Sequence, residues 1–217
     1  MRHFSTGDVV FLLLAMRWTL LLSAAAFLFG GLVGLAVALA RVSPRRWLRW
    51  PAIGYIRVVQ GTPLLLQLFI VFFGADLVGI DLGAFLSAIL GLSLNAGAFL
   101  GEIWRGAIQG VPAGQTEAAR ALGLHYRALM LRVVAPQALR LATAPTVGFL
   151  VNLIKSTSLT AIIGFVELTR AGQMLNNATF RPFTIFGIVA GLYFLLCWPL
   201  TIVSRRLERR LASAYRR

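Results

Sequence analysis

The 217-residue chain is 59% hydrophobic and 13% charged, with a mean hydropathy of +0.81. A soluble domain of this size needs more polar surface, so the composition points to an integral membrane protein. A net charge of +14 would suggest a nucleic-acid partner for a soluble chain, but here the arginines fall into membrane-flanking segments and form no binding stripe, which excludes that class. A lone cysteine, Cys197, and two histidines, His3 and His125, leave no metal-ligand set and no internal disulfide.

A bilayer crossing takes roughly 20 mostly apolar residues. Five stretches qualify: 18–40, 62–80, 83–101, 144–165 and 182–203. Polar residues interrupt the middle three, with Gln67 and Asp76 in the second, Asn95 in the third, and Asn152 and Lys155 in the fourth. The first run is expected to be a retained span rather than a cleaved leader. Arg17 interrupts its start, and no short core with a small-residue cleavage site follows. Residues 1–14 then form an extracytoplasmic lead-in, 15–205 the membrane domain, and 206–217 a basic cytoplasmic tail. Gly30/Gly34, Gly97/Gly101 and Gly187/Gly191 are small-xxx-small pairs, a spacing that lets helix backbones approach closely.

Positive charge sets the orientation. Arg41, Arg45, Arg46, Arg49 and Arg57 follow the first span. The loop of about 40 residues after the third span (102–140) carries Arg105, Arg120, Arg127, Arg132 and Arg140. The C-terminal tail adds Arg205, Arg206, Arg209, Arg210, Arg216 and Arg217. Opposite them lie only Arg2, Arg17, Arg170 and Arg181. The rule therefore places the N-terminus outside and the C-terminus in the cytoplasm. Trp47 and Trp50, beside arginines, read as interfacial anchors, and Trp104 is read the same way.

The long loop contains "QTEAARALGLHYRALMLRVVAPQA" (115–138). Pro112 suits a first helical turn, the alanines and Leu122 favour helix, and Gly123 is a natural left-handed stop, which predicts a short helix over 113–122. Glu117 and Arg120 sit where the helix dipole favours each sign. Ala118 and Ala119 make a flat patch beside one acid, a docking surface rather than a proton-transfer site. Residues 124–135 predict a helix at headgroup level, redirected into the membrane at Pro136.

Glu117-Ala118-Ala119, then Gly123, then Ala135-Pro136-Gln137-Ala138, resembles the EAA loop of ABC importer permeases. "EIWRGAIQGVPAGQTEAARALG" (102–123), "QGTPLLLQLFIVFFG" (60–74) and "LIKSTSLTAIIGFVEL" (153–168) are similar to the polar amino-acid uptake branch, the histidine/glutamine/arginine permease type. The resemblance spans about residues 15–205. Gln60 stands where family members often carry Arg before Gly-Thr-Pro, with Arg57 three residues earlier.

The resemblance implies an all-α polytopic membrane protein, the transmembrane domain of a type I importer, in the bacterial inner membrane. It implies two ABC ATPase subunits, a second permease subunit (a copy or a similar chain) and an extracytoplasmic amino-acid-binding protein as partners. Glu117, Ala118, Ala119 and Gly123 match the family's coupling motif, and Arg120 lies within it. ATP and Mg belong to the ATPase, since this chain has no Walker-type phosphate loop and is not expected to be an enzyme.

Ionisable and polar groups within spans are costly. Lys155-Ser156-Thr157-Ser158 has two readings: it lines the pathway, or Lys155 pairs with Glu102 or a backbone carbonyl and sets helix packing. Asn152, Asn95 and Gln67 either meet substrate or bond between helices. Glu102 is expected to pair with Arg105 at i,i+3. The functional reading is a permease moving polar amino acids; an importer of another small amine-carboxylate such as an opine, and a passive channel, are the alternatives.

Overall fold

In the computed structural model, which describes residues 5–214, the chain is all helical apart from short connections. α1 spans Thr6–Val42. Asp8 accepts from the Ser5 backbone N–H at 2.9 Å, which closes the first turn. The helix thus begins twelve residues before the expected span, and Leu12 in the supposed lead-in is fully buried. Residues 1–4 of that lead-in lie outside the described residues.

The basic stretch expected as a loop after α1 is a helix, α2 (Arg46–Gly61). α3 (Leu64–Leu77) follows at a bend of 105°, and taken together the two are long and apolar enough to serve as one broken span. The expected second span, 62–80, is therefore only the α3 half. Its 14 residues reach about 21 Å at 1.5 Å per residue, short of the roughly 30 Å hydrocarbon core. The break has a local cause: Pro63 bars the preceding residue from helical angles, and Thr62 is extended at φ −117°, ψ 143°.

α4 (Gly83–Gln109) outlasts its expected end by eight residues. α5 (Ala113–Ala121) matches the predicted short helix closely. α6 (Tyr126–Leu129), a π turn (Met130–Val134), α7 (Ala135–Ser156) and a 3₁₀ segment (Thr157–Ile163) form one 38-residue helical stretch. The expected redirection at Pro136 does not occur. Pro136 sits in the first turn of α7, where its missing N–H costs little, and the wider π turn before it accommodates the ring.

α8 (Leu168–Thr179) was not anticipated. It is amphipathic: Leu168, Ala171, Gly172, Leu175 and Thr179 recur on one buried face. α9 (Pro182–Ala214) carries the last span into the basic tail. With the broken pair counted as one, the described residues hold five candidate spans, as the sequence predicted.

The central contact is α1 on α4. A Cβ on Gly34 would meet Leu100 Cβ at 2.9 Å and Gly97 O at 3.2 Å, and one on Gly101 would meet Val37 Cγ1 at 2.7 Å. Two of the three glycine pairs thus face one another and let the backbones close up. A Cβ on Gly187 or Gly191 would meet nothing within 4 Å among the described residues, so the third pair takes no part in that packing. Around the seam, Leu22, Leu68, Leu92, Leu100 and Leu153 form the main core, and Leu12, Leu168, Leu175 and Ile185 a second one under α8.

Candidate functional site: a displayed helix and an exposed polar face

α5 is anchored on one side and open on the other. Ala119 is only 4% exposed, packed with Ala107, Val111, Leu129, Val134 and Ala138 from the end of α4 and the start of the α6–α7 stretch. Glu117, Ala118, Arg120 and Gly123 are exposed. The helix ends in a Schellman turn: Gly123 N–H donates to Arg120 O at 2.9 Å and Leu124 N–H to Ala119 O at 3.1 Å. Gly123 takes φ +74°, which a side chain would resist. Gln137 of α7 donates to Gln115 of α5 at 3.4 Å and to Val133 O at 3.0 Å, tying the short helix to the long one. The arrangement fastens α5 to the α6–α7 stretch through the Ala119 packing and the Gln137 bond.

At the far end of that stretch the polar run divides. Asn152 and Lys155 are exposed, and Ser156 and Ser158 are half-buried beside them. Ser156 donates to Asn152 O at 2.9 Å and Ser158 to Lys155 O at 2.7 Å. Their protons are thereby engaged, and what the two hydroxyls present outward is acceptor lone pairs. Thr157 is fully buried and donates to Ile154 O at 2.7 Å, so the structure does not bring it to the same face. Lys155 makes no ion pair among the described residues. Its suggested partner Glu102 is taken by Arg105, as expected at i,i+3, and by Arg41 at 3.6 Å.

Gln67 and Asn95 are joined to each other. Asn95 Nδ2 donates to Gln67 Oε1 at 3.2 Å, while Gln67 Nε2 reaches Val59 O at 2.6 Å and Thr62 O at 3.0 Å. Of the two readings, helix-to-helix bonding is what the geometry realises: the pair caps the free carbonyls at the α2–α3 break and fastens them to α4. Gln60 lies nearby, its amide 3.4 Å from Ala98 O. Trp104, expected as an anchor, instead donates from its indole to Thr146 Oγ1 at 3.0 Å, inside the α4–α7 contact.

One buried cluster escaped sequence reasoning. Glu167 has no exposed surface and caps α8, accepting from Thr169 N–H and Arg170 N–H at 2.9 Å each. Tyr193 of α9 donates to Glu167 Oε2 at 2.8 Å, and Thr19 of α1 accepts from Leu168 N–H at 3.2 Å. Burial pushes the Glu167 carboxyl above the usual carboxylate range, opposed by those donors. Caps favour Ser, Thr, Asp and Asn, so a Glu after an apolar run gave no signal. No group of three His, Cys, Asp or Glu side chains able to hold a metal occurs among the described residues.

The profile of the family described as "Binding-protein-dependent transport system inner membrane component" matches residues 30–213. Among curated proteins, the probable amino-acid ABC transporter permease protein YckA of Bacillus subtilis is 38% identical over 195 residues, covering 90% of this chain and 86% of that one. The histidine/lysine/arginine/ornithine transport system permease protein HisM of Salmonella typhimurium is 36% identical over 202 residues, covering 88% and 86%. A chain from the crystal structure of an amino acid ABC transporter with histidines superposes with a TM-score of 0.88 at 31% identity, covering 96% of this chain and all of that one. A chain of the inward-facing MetNI methionine ABC transporter shares the fold, with a TM-score of 0.80 at 20% identity.

The chain therefore belongs to the inner membrane components of binding-protein-dependent transport systems, the permease subunits of ABC importers. Within that class it is of the polar amino-acid uptake type. It is a multi-pass transport subunit that works with an ABC ATPase and a binding protein, and ATP hydrolysis belongs to the ATPase.

Proposed function

We propose that this permease imports polar amino acids as one half of a two-permease pathway, with α5 seated in a cleft of one of two ATPase subunits. The observation that carries this reading is the exposed Glu117–Ala118 face on a helix locked to the α6–α7 stretch by Ala119, Gly123 and Gln137. Closure of the ATPase pair moves α5, and α5 moves the span that carries Asn152 and Lys155. In this reading α5 and the C-terminus are cytoplasmic and the N-terminus lies outside, as the arginine distribution demands.

The exposed polar face suits an amino acid at both ends. Lys155 offers a cation to a carboxylate, and the Ser156 and Ser158 lone pairs offer acceptors to an ammonium group. The names of the relatives support the class: they include L-cystine, arginine and histidine/lysine/arginine/ornithine transport system permeases. A passive channel has no use for a displayed, glycine-stopped docking helix.

The test is a complex reconstituted with its ATPase and binding protein. Polar amino acids should stimulate ATP hydrolysis, and Ala118→Cys in a Cys197→Ser background should cross-link to the ATPase. Opine stimulation without amino-acid stimulation would replace the substrate class. Absence of the cross-link in an active complex would remove the coupling role.

A further inference from the structure

The elbow between α1 and α2 carries a charged, aromatic surface apart from α5 and from the Asn152–Ser158 run. Arg45, Arg46 and Arg49 are exposed, and none forms an ion pair among the described residues. Trp47 and Trp50 stand beside them, 68% and 60% exposed. α2 contains no acidic residue. Arg41, the other cation of the elbow, is already held by Glu102.

Helical phase makes this a surface rather than a scatter. At 100° per residue, Leu48, Ala52 and Ile56 lie on one side of α2, with Ala52 and Ile56 buried. Arg46, Trp50 and Arg57 lie on the opposite side, with Arg49 and Trp47 flanking them. Two indoles level with three unpaired guanidiniums match the boundary of a bilayer. The rings favour the interface, and each arginine near an anionic surface adds attraction that a zwitterionic lipid does not supply. A guanidinium also presents paired donors that fit a phosphate.

We propose that the first half of α2 is a binding surface for anionic phospholipid headgroups, held at the start of the broken span. The surface is defined by the elbow itself and does not rest on the coupling role of α5 or on the substrate.

The experiment reconstitutes the permease–ATPase complex in phosphatidylcholine vesicles with a trace of spin-labelled phosphatidylglycerol or spin-labelled phosphatidylcholine. The motionally restricted fraction of each gives a relative association constant. The wild-type complex should prefer phosphatidylglycerol by about threefold or more, as expected for several arginines acting near the surface. Arg45→Gln/Arg46→Gln/Arg49→Gln should bring the ratio close to one, with basal ATP hydrolysis showing the variant assembled. Arg205→Gln/Arg206→Gln/Arg209→Gln, at the other basic segment, should leave most of the preference intact. Equal association of both lipids with wild type overturns the proposal. So does a preference that survives the α2 variant, or that falls equally in the control.

Discussion

The Tyr193 hydroxyl lies 2.8 Å from Glu167 Oε2, joining α9 to the cap of α8 across 26 residues of sequence. With a second contact to Thr169 Oγ1 at 3.1 Å, it ties the start of α8 to the last span, in a place where no solvent reaches Glu167. Tyr193→Phe keeps the ring and removes the donor. It should lower stability by about 1–3 kcal/mol, the cost of leaving a buried acceptor short of a partner. Glu167→Ala should cost more than Glu167→Gln, because Gln retains one cap acceptor. Thermal unfolding of the detergent-solubilised complex decides this, and an unchanged midpoint for Tyr193→Phe would show that the bond contributes nothing.

Gly97 and Gly101 on α4 should be intolerant where Gly187 on α9 is indifferent. Gly97→Val and Gly101→Val place methyl groups where Cβ alone already meets valine side chains at 2.6 and 2.7 Å. Overpacking of that kind costs about 1–3 kcal/mol, and here it also wedges the central helix pair apart. Gly187→Ala adds a methyl group to open space and should be neutral, or stabilising by up to about 1 kcal/mol through helix propensity. Expression level and unfolding temperature of the three variants, side by side, check the contrast.

Gly123→Val should separate transport from ATP hydrolysis. A β-branched residue at φ +74° carries backbone strain of about 1–3 kcal/mol, which the chain relieves by opening the Schellman turn and freeing α5. Gly123→Asn tolerates the left-handed angle better and should retain most activity. The readout is substrate uptake per ATP hydrolysed in the reconstituted complex. An unchanged ratio in Gly123→Val would show that the turn is dispensable.

Gln67→Leu and Asn95→Leu should be coupled. In a double-mutant cycle the interaction energy is expected at about 0.5–1.5 kcal/mol, the value of one neutral hydrogen bond. The Gln67 variant alone should be the worse of the two, because it also strips the carbonyls of Val59 and Thr62 of their donor. Additive effects would mean that the break holds its shape without the pair.

Much of this was legible before any coordinates. Apolar run length found four of the spans and the second half of the bent pair, Pro112 and Gly123 bounded α5 to within a residue, and the i,i+3 rule gave Glu102–Arg105. Local rules failed where two distant segments decide. Pro63 marks a break after Thr62, but nothing near it says that the bend is fastened to α4 through Asn95, 28 residues beyond Gln67. Trp104 read as an anchor until Thr146 supplied its acceptor. Glu167 was overlooked because the groups that make its burial tolerable come from α8 and α9.

The amino-acid sequence by itself determined that this chain lives in a membrane, where most of its apolar spans lie, and that a short glycine-stopped helix interrupts them. Those properties follow from transfer free energy and helix capping, which act within a window of a few residues. Only the tertiary structure decided which glycines pack, which of Asn152 to Ser158 face outward, and which polar groups satisfy each other. Those depend on what lies opposite, and in a low-dielectric interior an unpaired polar atom is costly enough that the partner, not the residue, settles its place.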